Sequence, residues 1–214
     1  MSHVNPFFLF FVFGTTKLSI RMSKIRRAAH TACALDKLVQ QHNLGSMAYY
    51  YVGEGDETYQ DIISSVIVGC SLLTGRHVPV AGEYEVKNAQ AMKIMDSFGA
   101  GGSFTEFYAM DFNEDIILMG HDGPGHIAIA EGKPKLKPLK VYHGKIGQGL
   151  SVEMNVKTGP VTLLSVIQSF DGKLRFLVAE AETVSGPILE IGNTNSRYRF
   201  PIGAKGFIDN WCKH

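Results

Sequence analysis

Two patterns follow one another along the 214 residues and predict an α/β region succeeded by a mainly β one. From Lys24 to Gly125, stretches of helical period alternate with short β-prone runs. That alternation implies part of a central α/β domain with a mainly parallel sheet. From His126 to His214, short β runs separated by Gly, Pro and Asp-Gly turns predict a sandwich or β-barrel-like domain ending in a helix. The domains read as 1–23, 24–125 and 126–214, with the proline-bearing "GKPKLKP" just behind the second boundary.

The first segment does not match the rest. "NPFFLFFVFG" packs five phenylalanines into seven consecutive apolar residues. A bilayer span takes ~20 apolar residues. No Lys or Arg precedes the run and no small-residue cleavage site follows it. Residues 1–23 are therefore expected to lie outside the fold, with Met22 a candidate start, and a genuine export signal is the alternative reading.

In "KIRRAAHTACALDKLVQQH", Ile25, Ala28, Ala32, Leu35 and Val39 share one helical face, and Asn43-Leu44-Gly45 stops the helix. "SMAYYYV" reads as a strand. Asp56 or Thr58 is placed to cap a second helix running to about Leu73. "HVPVAG" is a short strand with Glu83 at its end, and a third helix spans Val86–Phe98 until "GAGG" breaks it. "SFTEFYAMDF" and "DIILMG" read as extended. Beyond Gly125 the β runs are "HIAIAEG", "LKVYHG", "LSVEMNV", "VTLLSVIQS", "KLRFLVAEAETV" and "ILEIG", with Asp171-Gly172 a hairpin signal and a last helix over Ala204–Lys213.

A net charge of +1 argues against a nucleic-acid or other polyanion surface. Cys33, Cys70 and Cys212 are odd in number and widely spaced, which predicts reduced thiols in a cytoplasmic protein rather than a disulfide framework. No membrane partner is expected.

Open α/β sheets bind ligands at the carboxyl ends of their strands. Glu83 after "VPVAG", Glu106 in "GSFTEFY" and His121 after "IILMG" all read as falling there. Two carboxylates and an imidazole suit Mn²⁺, Mg²⁺ or Fe²⁺. Each taken alone is more simply a cap, a surface carboxylate or a turn histidine. Asp122 reads as an acceptor orienting His121 or as an Asx turn, and His126 as a partly buried polar residue. Asn193, Asn195 and Arg197 read evenly as sugar or subunit contacts or as turn chemistry, and Tyr49–Tyr51 read as sheet core before sugar platform.

"PVAGEYEVKNAQAMKIMD", "GSFTEFYAMDF", "ILMGHDGPGHIAIAEG" and "GPILEIGNTNSRYRF" together resemble the L-fucose/L-arabinose isomerase family, in particular its arabinose-isomerase-like branch. The resemblance spans about Ile25 to Trp211. It implies a Mn²⁺-dependent aldose–ketose isomerase that moves a proton between C1 and C2 of a sugar through an enediolate, in a homo-oligomer. It implies a central α/β domain followed by a β-rich one. By position, Glu83 and Glu106 would be metal-binding and catalytic, and His121 a metal ligand. The family's paired-histidine segment and N-terminal domain have no counterpart here, so the expectation is a fragment with weak or no turnover. The alternatives are a non-catalytic sugar-binding or regulatory remnant and a product without a stable fold.

Overall fold

The computed structural model describes residues 14–15, 21–51, 57–142, 145–190 and 193–213. Strand β1 is Gly14–Thr15, two residues of the apolar first segment; helix α1 is Met22–His42. Helix α1 ends where Asn43 takes a left-handed φ of 50° and its N–H bonds the Val39 carbonyl, a conformation Asn tolerates because its amide bonds locally. Strand β2 is Met47–Ala48, shorter than the tyrosine run predicted.

The second helix is two. Helix α2 is Glu57–Ile63 and α3 is Ile67–Thr74. At the break, Ser64 Oγ donates to the Asp61 carbonyl at 3.3 Å and Ser65 Oγ to the Ile62 carbonyl at 2.8 Å. Such short hydroxyls compete with the helical ladder. The capping role considered for Asp56 lies outside the described residues. Gly69 lets α3 close on α1, since a Cβ there would lie 2.9 Å from Ala32 Cα. Ile25, Ala28, Ala32, Ile67, Val68 and Leu72 share one core cluster across these two helices.

Strand β3, Val80–Ala81, pairs parallel with β2, and α4, Val86–Ser97, follows. Strands β4, Glu106–Asp111, and β5, Ile116–His121, then form an antiparallel hairpin with a register shift between Phe107 and Ala109. This corrects the expectation of a mainly parallel sheet. Residues 112–115 are far too few for a parallel crossover, which takes roughly a dozen residues. Asp111 Oδ1 instead accepts the N–H groups of Asn113 and Glu114, at 3.0 and 3.1 Å, and folds the turn tightly.

Next come β6, Lys135–Pro138; β7, Val141–Tyr142; β8, Lys145–Ile146; and β9, Leu150–Glu153. Then follow β10, Gly159–Gln168; β11, Leu174–Val184; β12, Thr194–Arg199; and helix α5, Gly203–Trp211. The order β10-β11-β12-β5-β4 makes one antiparallel sheet from strands on both sides of Gly125. A second sheet runs β1-β6-β9, and β7 pairs with β8. The predicted barrel is not closed among the described residues. Just past β9, Met154 bridges Thr194 of β12, but among the described residues the two sheets share no continuous ladder there. "HIAIAEG" forms a 3₁₀ turn, Ile127–Ile129, and not a strand, while Ile188 to Glu190 of "ILEIG" are not a strand either.

Under the five-stranded sheet, Ile117, Met119, Tyr198 and Phe200 pack with Phe207 of α5, whose ring stacks on Phe200 at 3.8 Å. The three cysteines are free, and burial pushes the Cys70 thiol up to about 12. Among the described residues no helix is long and apolar enough to cross a membrane.

Candidate active site

His121 closes β5 and is 1% exposed. Its Nδ1 lies 3.1 Å from the Pro124 carbonyl oxygen. A carbonyl only accepts, so Nδ1 carries the hydrogen, and in the neutral ring Nε2 is the atom with the lone pair. The ring meets Phe104 edge-on, with centroids 4.7 Å apart. Two glycines make room for it: a Cβ at Gly82 would lie 2.5 Å from His121 Nε2, and one at Gly123 would lie 2.7 Å away. The Gly123-Pro124-Gly125 turn is thus a seat for the imidazole. The orienting acceptor considered for Asp122 is supplied by the Pro124 backbone, and Asp122 itself is exposed.

Glu83 follows β3 with a φ of 56°, and Tyr84 follows with 57°. Two successive side-chain-bearing residues in the left-handed region cost about 1–3 kcal/mol each, and such strain gathers at functional sites. The Tyr84 N–H holds the bend by bonding the Tyr49 carbonyl at 2.9 Å. The Tyr51 hydroxyl donates to the Glu83 carboxylate, and that bond, with the charge of Glu83, raises the phenol above its ordinary value.

Glu106 opens β4, opposite Gly120 of β5. It sits at the amino end of its strand, not the carboxyl end expected. Antiparallel pairing nevertheless brings it to the edge where β5 ends. Burial raises its carboxyl above the ordinary value, and the charges of Glu83 and Asp122 raise it further. The three carboxylates therefore share one electrostatic neighbourhood. Tyr108, two residues along β4, accepts a hydrogen bond from Asn193 Nδ2 at 3.1 Å. Asn195 Nδ2 donates to Asn193 Oδ1 at 2.8 Å and to the Leu189 carbonyl at 2.9 Å, while its Oδ1 accepts the Leu189 N–H at 3.0 Å. Both asparagines are buried, so they brace the Tyr108 wall.

The end of β3, the start of β4 and the end of β5 thus bring Glu83, Glu106 and His121 to one edge of the fold. Among the described residues, however, no three His, Cys, Asp or Glu side chains are grouped so that they could hold a metal ion. Glu106 opens onto a cleft of about 1240 Å³ walled by Met92, Ser103, Phe104, Lys157 and Arg199, while Glu83 and His121 lie outside that lining. His126 is buried behind Ser103, whose Oγ accepts the His126 N–H at 3.2 Å. Arg197 bonds Glu114 and the Pro187 carbonyl, away from the three groups.

Sequence reasoning read Tyr51 as sheet core before sugar platform, and missed Gly82 and Tyr108. Tyr108 was not legible, because the register shift between Phe107 and Ala109 falls on it and breaks the strand's alternation. Nor was Gly82, since its role depends on a ring contributed by another strand. No protein-family model and no curated protein matches this chain.

Proposed function

We propose that the chain carries the metal and proton-transfer centre of an aldose–ketose isomerase of the L-arabinose/L-fucose type, within the central α/β and C-terminal β-rich domains of that architecture. The observation that carries the reading is geometric: the His121 ring closes on Gly82, the residue before Glu83, while Glu106 pairs opposite Gly120, the residue before His121. Glu83, Glu106 and His121 would hold a divalent ion such as Mn²⁺, a donor set that suits its intermediate hardness. When bound, the ion would polarise the sugar's O1 and O2 and stabilise the negative charge of the enediolate. The raised carboxyl of Glu106 fits it to take the C2 proton and return it at C1. Glu83, fixed by the Tyr51 phenol, is placed to exchange the hydroxyl protons. The parent assembly is a cytoplasmic homo-oligomer in this reading.

Proton exchange is a more sensitive test than turnover. With Mn²⁺ in deuterated water, L-arabinose or L-fucose should acquire deuterium at C2, read by NMR, and Glu106→Gln should abolish the exchange. Exchange that persists in Glu106→Gln, or that needs no metal, contradicts the reading.

A second reading, a non-catalytic sugar-binding remnant, is favoured by the cleft that includes Glu106 but neither Glu83 nor His121. Sugar binding that ignores Mn²⁺ and proceeds without exchange would favour it over catalysis.

A further inference from the structure

Tyr84 carries backbone strain that its side chain does not offset by packing. Its φ is 57°. The other described non-glycine residues in the left-handed region are Asn43, His77, Glu83 and Asp115. Asn, His and Asp are enriched there, whereas a bulky aromatic is an outlier. The bend itself needs no side chain at this position. The Tyr84 N–H bonds the Tyr49 carbonyl, the Glu85 N–H the Gly82 carbonyl and the Val86 N–H the Tyr84 carbonyl, each at 2.9 Å. A glycine would keep all three bonds and adopt the same φ freely. The Tyr84 ring is nevertheless 67% exposed. Strain held without burial points to a functional contact.

The surroundings of the ring are aromatic and acidic. Tyr50 follows the residue whose carbonyl holds the Tyr84 N–H, and its ring is 47% exposed. The Tyr50 and Tyr84 centroids lie 6.3 Å apart and the rings tilt by 58°, a direct aromatic pair. Tyr51 continues the row, its centroid 5.4 Å from that of Tyr50, and its hydroxyl donates to the Glu83 carboxylate. An aromatic surface thus leads from solvent to Glu83. We propose that Tyr84, with Tyr50, is the platform that receives the C–H face of the substrate sugar while the sugar's hydroxyls turn to Glu83. The identity of the ligand rests on the isomerase reading, and the platform rests on the strain and the ring pair.

The chemistry of the rings fits such a ligand. The face of an aromatic ring is the negative side of its quadrupole. The C–H groups of a sugar are polarised positive by the oxygens on their carbons, so they settle on that face. The hydroxyls at the rim stay free to donate to a carboxylate. Tyrosine offers this contact at low cost in side-chain freedom, because it has few torsions to fix. Rings in direct contact present outer faces and do not form a cage around a cation.

Titration of the full chain with L-arabinose, followed by saturation-transfer NMR, tests it together with thermal melting. Tyr84→Gly should weaken sugar binding roughly tenfold while melting no lower than wild type, because it removes ring and strain together. Tyr84→Asn, also tolerant of the left-handed region, should do the same, and Tyr84→Phe should bind as the wild type does. Equal binding by wild type and Tyr84→Gly overturns the proposal. So does a lower melting temperature in both Tyr84→Gly and Tyr84→Asn, which would give the ring a packing role. A loss of binding in Tyr84→Phe would place the contact at the hydroxyl and overturn it too. A wild type that binds no sugar up to ~100 mM, or that binds tetramethylammonium in preference to it, likewise overturns it. The isomerase reading fails separately. Binding that depends on the Tyr84 ring but brings no deuterium to C2 keeps the platform and removes the isomerase. Exchange that half-saturates alike in wild type and Tyr84→Gly removes the platform alone.

Discussion

Gly82 and His121 meet across the space a side chain would fill: a Cβ on Gly82 would lie 2.5 Å from His121 Nε2. The contact joins the end of β3, next to Glu83, to the end of β5. It explains why a glycine precedes the first carboxylate. In Gly82→Ala the imidazole must move or the strand ends must part, at a cost of about 1–3 kcal/mol. Thermal melting should record that loss, and Mn²⁺ affinity should fall by roughly tenfold, as for lost support of a metal ligand. A variant with unchanged melting and unchanged Mn²⁺ binding would show that this approach has no bearing on the site.

Gly120 is a harder case. A Cβ there would run into the Thr194 carbonyl oxygen and lie 2.8 Å from Asn195 Cα. These are backbone atoms of the paired strand β12, which cannot swing aside as a side chain can. Gly120→Ala is expected to destabilise by about 3 kcal/mol or more, near the upper end for overpacking. Urea unfolding checks this, and a cost below about 1 kcal/mol would contradict the strand contact.

Asn193→Ala tests the brace behind Tyr108. The substitution removes the donor from the Tyr108 hydroxyl and the acceptor from Asn195 Nδ2. Unpaired polar groups in a buried site cost about 1–3 kcal/mol each. The expected result is a lower melting temperature with Mn²⁺ binding retained, because Asn193 supports a wall and is not itself a ligand. Loss of Mn²⁺ binding at unchanged stability would move Asn193 into the site proper.

Asp96 supplies a pH dependence far from the metal candidates. Burial pushes its carboxyl up, but hydrogen bonds from His77 and Lys93 outweigh burial and hold it below its ordinary value. A carboxyl depressed in the folded state adds stability that is full above its unfolded value, about 3.9. That stability is lost as pH falls through the folded value. Asp96→Asn should therefore be less stable than wild type at pH 7, by about 1–3 kcal/mol, and the gap should close as the pH drops below the unfolded value. A gap that persists unchanged in acid would place the effect in packing instead of charge.

Helix α1, its stop at Asn43 and the Asp171-Gly172 turn were legible in the sequence, because each depends on residues within a few positions of one another. Helical period survives in a single chain segment, and so does turn chemistry. Strand direction was not legible. "SFTEFYAMDF" and "DIILMG" resemble parallel-sheet strands by composition, and only the tight turn made by Asp111 makes them a hairpin. The three candidate residues were readable as types of group, but Glu106 joins the others by antiparallel pairing from the opposite strand end. The tyrosines that surround them and the glycines that admit His121 act across elements distant in sequence. Local pattern carries no record of such contacts.

The account rests on whether Glu83, Glu106 and His121 act as one metal centre. The most direct measurement is Mn²⁺ titration of the intact chain, followed by electron paramagnetic resonance of the free ion. One tight site in the wild type, weakened at least roughly tenfold in each of Glu83→Gln, Glu106→Gln and His121→Asn while folding is retained, is the predicted result. Equal binding by the wild type and all three variants, or no saturable site in a folded wild type, would contradict it.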